Sequence, residues 1–399
     1  MSANRGLIET ALISPPQRAS DMIFSRALLE RLMLICERAG VKRFFIEATA
    51  EQRPQLALSL VRFRQHAALQ IVDSFDCVVG HGVSPGTTCI AFTGNLVFSA
   101  SQLEKMIAQH QDHPDQLTAV ASVDLDRSGT IAIGPLAAVL SGLNNARVAP
   151  TTADYLPFAL NGRPEDRDEA ELRLARSLRH ETRDTDSLMA RIFDRHLSWR
   201  LSLRLARTRL TPNHVTLANS VLGLVSAWMF AIPSYGWRLA AAMLFVASVT
   251  IDGVDGESAR LQMNESAAGE RLDHITDNAV HVAIFIGLML GCYRASGSTA
   301  YLYLMSIQLG GFGLCALAVN RALNVTGDGS TEFIGRVERF AGRDFAYMLL
   351  ALALANLLPF FCWGTAIGTY VFAAGLWWRT NRLLGGTGVG VLHSRNHDA

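Results

Sequence analysis

Over the first 150 residues, short apolar runs alternate with amphipathic stretches: Leu7–Ile13, then Arg26–Ala39 with its apolar positions at helical period, then Arg43–Glu47, Pro54–Phe63, Gln70–Val72, Thr88–Phe92, Ser101–Gln109 and Leu117–Val123. Alternation of strand and helix signals predicts an α/β layer fold. Residues 161–186 are dense in charge and helical in pattern, which suits a linker or a surface helix, so a domain boundary is expected between about 150 and 190. Past residue 212 the pattern changes to long uncharged runs. His214–Ile232 holds no Asp, Glu, Lys or Arg, and roughly 20 such residues suffice for a helix to cross the hydrocarbon core. A second run, Trp237–Thr250, stops at Asp252, although the helix can continue as a polar, protein-facing end. Further runs cover Glu270–Tyr293 and Ala295–Asn320. The last, Phe345–Trp378, has 34 residues, too many for one crossing, and Pro359 with Gly364 supplies a break. Six membrane helices are predicted.

Charge sharpens this division. Residues 1–212 carry 48 charged side chains and residues 213–399 only 23, which implies two solvents. A net charge of +1, with no stripe of basic and aromatic residues, argues against a nucleic-acid partner. The six cysteines lie far apart without a Cys-x-x-Cys pair, so reduced thiols are expected rather than a zinc site or a disulfide scaffold. The apolar stretch Gly6–Ile13 is interrupted by Glu9 and too short for a signal-peptide core, so secretion is not expected. Arg321, Arg336, Arg339, Arg343, Arg379, Arg382 and Arg395 fall on one side of the predicted bundle and only Arg238 and Arg294 on the other. By the positive-inside rule both termini are cytoplasmic, in a multi-pass protein of the cytoplasmic (inner) membrane. Residues 191–212 interleave six arginines with Leu, Ile, Phe and Trp, and read as an amphipathic juxtamembrane helix on the anionic leaflet or as a solvated basic linker.

The candidate chemistry lies where the second run ends. Asp252-Gly-Val-Asp255-Gly256-Glu-Ser-Ala259-Arg260 is followed by Gly269, Asp273 and Asp277. On helices, Asp252 and Asp255 are i,i+3 and Asp273 and Asp277 are i,i+4, so four carboxylates are expected to face one another across a helix pair. Like charges that close need compensation, and an oxygen-only donor set favours two hard divalent cations, Mg²⁺ or Mn²⁺. A two-metal phosphoryl-transfer site is the natural use.

These residues resemble the signature of the CDP-alcohol phosphotransferases (CDP-alcohol phosphatidyltransferases), D-x2-D-G-x2-A-R-x8-G-x3-D-x3-D, at all eight specified positions. Thr211-Pro212-Asn213-His-Val-Thr216 is similar to a Thr-Pro-Asn-x-x-Thr segment of that family, and the resemblance covers roughly residues 185–380. It implies that Asp252, Asp255, Asp273 and Asp277 bind the two cations that hold the diphosphate of a CDP-alcohol. It also implies that Asp277 accepts the proton of an acceptor hydroxyl, whose attack on the β-phosphorus expels CMP. Asn213, Thr216, Asp252, Gly256, Ala259, Arg260 and Gly269 would contact the CDP moiety. Arg321, Arg343 and Arg379 would bind the phosphate of a phosphorylated polyol acceptor, or serve only as membrane anchors. His274 and His281 read as helix-packing residues, with His274 within possible reach of substrate. A homodimer in phospholipid or phosphodiester biosynthesis follows from the same resemblance, with either CDP-diacylglycerol or a soluble CDP-headgroup as donor.

The front half resembles the nucleotidyltransferase domain of bifunctional inositol-phosphate cytidylyltransferase/di-inositol-phosphate-phosphate synthases, through Leu28-Leu-Glu-Arg-Leu, Ala39-Gly-Val-Lys-Arg-Phe-Phe45 and Phe92-Thr-Gly-Asn95-Leu-Val-Phe-Ser. The resemblance implies a Rossmann-like α/β domain over residues 1–150, then a charged helical linker (151–190), the juxtamembrane helix (191–212), a six-helix transmembrane domain (213–380) and a cytoplasmic tail (381–399). Where an active enzyme of that kind carries a Gly-rich loop and a metal-binding Asp, this chain has Ile13-Ser-Pro-Pro-Gln-Arg-Ala19 and Gly94-Asn95, so the front domain is expected to be inactive. Two other readings stand beside the phosphotransferase: a bifunctional enzyme that also charges a polyol phosphate with CTP, and a non-enzymatic membrane scaffold holding a structural ion.

Overall fold

The computed structural model describes residues 8–17, 19–54, 56, 60, 63, 68–114, 117–121, 129–143, 157–160, 163–182, 195–208, 210–326 and 343–390. The chain divides into two compact units. The first comprises residues 1–182 with 206–209 and 260–263, and the second comprises 183–205, 210–259 and 264–399.

The first unit is built on a mixed six-stranded sheet. Its strands are β1 (Thr10–Ile13), β2 (Arg43–Glu47), β3 (Ala68–Val72), β4 (Thr88–Gly94), β5 (Thr118–Ala121) and β6 (Gly129–Pro135), in the order β3-β2-β1-β4-β6-β5. The first four run parallel, while β6 is antiparallel to both β4 and β5. Period-2 alternation sorts the strand side chains into two buried layers. Ala11, Ile13, Phe44, Ile46, Ile90 and Phe92 pack on one face with α1 (Leu28–Arg38) and α2 (Ala100–Asp112). Leu12, Phe45, Cys89 and Ala91 pack on the other with Val78, and with Leu136 and Val139 of α3 (Leu136–Leu143). Both faces are therefore covered, which is what parallel strands with near-continuous apolar sequence require.

A two-residue turn between the short strands Met22–Ile23 and Arg26–Ala27 places Phe24 at φ 48° and Ser25 at φ 62°. Positive φ at both central residues suits the twist of a hairpin but is costly for non-glycine side chains. Full burial of the Phe24 ring offsets that cost, as does the bond its N–H donates to Glu171 Oε1 (3.0 Å), a buried carboxylate of α4 (Pro164–Thr182). The glycine-bearing segment 79–86 is a plain turn: a 3-10 helix, Phe75–His81, closes on Gly82 at φ 80°.

The second unit is helical. After α5 (Arg195–Ala206) come α6 (Pro212–Phe230), α7 (Tyr235–Gln262), α8 (Ala267–Ser296), α9 (Ala300–Thr326), α10 (Arg343–Leu354) and α11 (Leu358–Gly390). Four of these are long and apolar enough to cross a membrane, within Tyr235–Gln262, Ala267–Ser296, Ala300–Ala322 and Leu358–Arg382, so this is a multi-pass membrane architecture. Two of the six expected spans fall short of that standard for physical reasons. α6 carries the buried polar residues Thr216, Asn219 and Ser226, and α10 has only 12 residues. The break in the last apolar run lies before Pro359. Asn356 takes a left-handed φ of 56° after α10 ends, and Pro359 sits in the first turn of α11, while Gly364 stays inside that helix. α11 itself continues to Gly390, through part of the segment expected to be a tail; residues 391–399 lie outside the described residues. Of the expected arginine bias, Arg336, Arg339 and Arg395 also fall outside them. All six cysteines are free thiols.

α6 and α8 approach backbone to backbone. A methyl group on Gly287 or Gly291 would meet the carbonyl oxygen of Ala227 or Phe230 at 2.1 Å, and one on Gly223 would meet Val280 at 2.5 Å. Small residues at a helix crossing let dispersion and backbone contacts replace the hydrophobic drive that lipid removes. Gly287→Ala should therefore lower the stability of the detergent-solubilised protein by about 1–3 kcal/mol, read as a fall in its thermal midpoint. Gly364→Ala, where an added methyl meets nothing within 4 Å, should leave the midpoint unchanged or raised. Equal behaviour of the two variants would remove the close-approach argument.

Candidate metal and catalytic site

Three helices of the second unit meet at one polar end. α6 opens at Pro212, whose fixed φ suits the first helical turn, and its next turns present Thr216 and Asn219, both buried. α7 continues past its apolar run as a single helix, carrying Ser248, Asp252 and Asp255 on successive turns. α8 begins where Ser266 Oγ accepts the Gly269 N–H at 3.0 Å, and one turn later it presents Asp273 and Asp277.

Asp252, Asp273 and Asp277 converge: one carboxylate oxygen from each lies within 4.8 Å of the others, all half-buried. Asp255 is not part of this group. Its Oδ2 accepts a short hydrogen bond from Thr216 Oγ1, and its Oδ1 accepts the Gly256 N–H at 2.5 Å. Asp252 Oδ1 accepts from Asn219 Nδ2 at 3.3 Å, and Ser248 Oγ donates to Asn219 Oδ1 at 2.7 Å. This relay fixes the Asn219 amide with its donor toward the carboxylate. Three hard oxygen ligands on two rigid helices, oriented by an outer layer of hydrogen bonds, fit a divalent cation.

The remaining expected residues are divided between α6–α8 and the helices α9 and α11. Asn213 and Gly269 are neighbours, since a methyl on Gly269 would come within 3.1 Å of Asn213 Oδ1. Ala259 and Arg260 are half-buried on the last turns of α7. Arg321 donates to Asn381 Oδ1 at 2.8 Å and lies 4.2 Å over the Trp377 ring, which brings it to the segment of α11 that carries the exposed Arg379. The Arg343 side chain lies outside the described residues. His274 is exposed, and its carbonyl accepts from Asn278 Nδ2 at 2.7 Å.

Sequence reasoning missed Asn219 and Ser248, although Asn219 stands i,i+3 from Thr216 on the same face of α6. It also missed Glu257, one of the two unspecified positions between Gly256 and Ala259 in the aspartate motif. Glu257 is 4% exposed and accepts from Ser202 Oγ at 2.6 Å and Ser198 Oγ at 3.4 Å, both on α5. A small cavity of about 60 Å³ opens between the helices and is lined by Asn219, Ser248, Asp252, Asp277, His281 and apolar Phe245, Val249 and Val280.

Residues 209–377 match the sequence profile of the family described as CDP-alcohol phosphatidyltransferase, so the C-terminal region carries a domain of that family. Three curated proteins, each named bifunctional IPC transferase and DIPP synthase, are similar to this chain. The relative from Thermococcus kodakarensis is 31% identical over 140 residues, 35% of this chain and 30% of the relative. That from Aquifex aeolicus is 32% identical over 105 residues, 26% of this chain and 23% of the relative. That from Archaeoglobus fulgidus is 30% identical over 117 residues, 29% of this chain and 22% of the relative. The matches thus span less than a third of the length of these relatives.

Asn219→Ala removes the amide that orients Asp252. It should weaken Mn²⁺ binding, followed by electron paramagnetic resonance on the purified protein, by about 10–100-fold. Asp73→Asn, on an exposed carboxylate of the first unit, should leave it unchanged.

Proposed function

We propose that the chain is an integral-membrane CDP-alcohol phosphotransferase. It moves a substituted phosphate from a CDP-alcohol to an acceptor hydroxyl and releases CMP, in phospholipid or phosphodiester biosynthesis. The observation that carries this reading is the convergence of Asp252, Asp273 and Asp277 inside the segment that matches the family. Two divalent cations, Mg²⁺ or Mn²⁺, held by these residues with Asp255, would neutralise charge on the diphosphate and on the departing CMP. Asp277 takes the proton from the acceptor hydroxyl, the alcohol oxygen forms its bond to the β-phosphorus in line, and the bond from that phosphorus to the CMP oxygen breaks. Asn219 keeps Asp252 in place, and Thr216 does the same for Asp255. Asn213, Gly256, Ala259, Arg260 and Gly269 surround the nucleotide, where small residues allow close approach. Arg321 and Arg379, together with Arg343, serve the phosphate of a phosphorylated polyol. For Arg321 this requires sharing the guanidinium that now stacks on Trp377.

A bilayer crossing by α11 is supported by the disposition of tryptophans, and cytoplasmic termini for six crossings by the arginine bias of the sequence. Trp228 and Trp237 form an exposed edge-to-face pair at one end of the bundle. Tyr235, beside them in sequence, bonds Leu354 O at the turn into α11 at 3.1 Å. Trp377 and Trp378 stand some 20 residues farther along that helix, about 30 Å away at 1.5 Å per residue, which matches the thickness between two aromatic belts. The layout expected from the sequence is retained: residues 1–150 as a Rossmann-like nucleotidyltransferase-type domain, 151–190 as linker, 191–212 as juxtamembrane helix, 213–380 as catalytic domain and 381–399 as tail, in a homodimer. The sheet order of the first unit, with its reversal beside β1, supports the first assignment. The missing glycine in the loop after β1 supports a structural or regulatory role for it.

The test is CMP release by the purified protein with Mg²⁺, first with CDP-diacylglycerol and then with soluble CDP-alcohols, against inositol phosphate and glycerol phosphate. Acceptor-dependent release is expected, with Asp277→Asn slower by about 10²–10⁴-fold. A fully active Asp277→Asn would remove the proton-acceptor role, and metal binding without turnover on any donor would leave only the scaffold. The bifunctional activity for which the relatives are named favours a second reading, in which the first unit also charges a polyol phosphate; CTP-dependent release of pyrophosphate by the full chain would establish it.

A further inference from the structure

His281 stands on α8 one turn beyond Asp277, and its Nδ1 lies 2.8 Å from the Asp277 carbonyl oxygen. A carbonyl oxygen can only accept, so Nδ1 carries the hydrogen and the neutral ring presents Nε2 as a bare acceptor. That Nε2 is fully buried and has no hydrogen-bond partner among the described residues. The ring is held by two phenylalanines, Phe245 at 6.0 Å nearly perpendicular and Phe345 at 5.9 Å, so it cannot turn freely to find one. It also lines the 60 Å³ cavity beneath the aspartates.

The polar groups of that cavity share one character. Asp252 and Asp277 are carboxylates, His281 Nε2 is an acceptor, Asn219 gives one of its two amide N–H groups to Asp252, and the Ser248 hydroxyl gives its hydrogen to Asn219. Acceptors thus predominate, so an occupant with donors of its own fits, provided that it tolerates the apolar wall of Phe245, Val249 and Val280. A volume of this size holds more than one water-sized group, since a single water needs roughly 10–15 Å³ by the same measure. One hydroxyl is consumed by the reaction at Asp277, and a second, one helical turn deeper, would satisfy His281.

Resting on the phosphotransferase reading, we propose that His281 Nε2 accepts a hydrogen bond from a second, non-reacting hydroxyl of the acceptor alcohol, so that this site selects polyols over mono-alcohols. A site built to pair with a hydroxyl rejects the analogue that lacks it far more strongly than a merely apolar pocket does.

The experiment compares glycerol 3-phosphate with its 2-deoxy analogue, 3-hydroxypropyl phosphate, as acceptors for CMP release by the purified full chain. The wild type should prefer glycerol 3-phosphate by at least about tenfold in kcat/KM. His281→Asn keeps an amide near Nδ1 for the Asp277 carbonyl but offers nothing at the Nε2 position. It should lose the preference through acceptor KM, with the KM for the donor and the affinity for Mn²⁺ unchanged. His281→Gln, whose amide oxygen can reach the Nε2 position, should recover the preference. Discrimination that survives in His281→Asn, or is absent from the wild type, overturns the proposal. A folded wild type that turns over neither of these acceptors nor inositol phosphate, with CDP-diacylglycerol or soluble CDP-alcohols as donor, would defeat the phosphotransferase reading instead. In that case isothermal titration of the same two compounds decides on His281: tighter binding of glycerol 3-phosphate by the wild type and not by His281→Asn upholds the assignment, and equal binding overturns it.

Discussion

Contact between the backbones of α6 and α8 is the constraint on which the rest of the second unit depends. At Gly287 and Gly291 the α6 carbonyls occupy the space that any side chain would need. In lipid, where apolar packing alone gives little preference for one partner over another, such shape-limited crossings define which helices pair. The same pairing sets Thr216 and Asn219 opposite α7 and leaves α8 to present Asp273 and Asp277. Polar ties then fix the third helix, because Ser226 Oγ donates to Ala241 O at 2.9 Å and Ser248 Oγ to Asn219 Oδ1. Each such bond is made away from water, where an unmet polar group would cost most.

The site concentrates negative charge at the end of an apolar bundle, and the protein distributes its carboxylates among different partners rather than gathering them all. Three aspartates meet, Asp255 is held by Thr216, and Glu257, inside the same motif, is held by the serines of α5. The last arrangement gives α5 a specific attachment to α7. Its arginines can lie outward while Ser198 and Ser202 face inward.

Much of this was legible in the sequence because it rests on local periodicity and on a fixed spacing. Asp273 and Asp277 share one face of α8 as their i,i+4 spacing implies and meet Asp252, and α7 does run on through its polar end. The separation of Asp255 was not legible, since helical spacing gives the face of a side chain but not which neighbouring helix supplies it with a donor. Asn219, Ser248 and Glu257 escaped for the same reason: each is an ordinary polar residue until a partner from another helix is placed against it. Hydropathy counting also treated α6 as a simple span, because an uncharged run conceals a face of buried threonine, asparagine and serine. The break before α11 depended on Asn356 taking a left-handed turn, a choice that Pro359 restricts without dictating.

At the end of the bundle away from the aspartates, two arginines are engaged inside the fold. Arg238 donates to Gly291 O at 3.0 Å, and Arg294 donates to Ala231 O at 3.0 Å. Each cation thus meets carbonyls near the C-terminal end of a neighbouring helix, where the backbone dipole favours it. Arg238 is buried, so folding withdraws its charge from its surroundings, while Arg294 makes its bond and stays exposed: two identical cations at one end of the bundle thus present unequal charge to what lies outside.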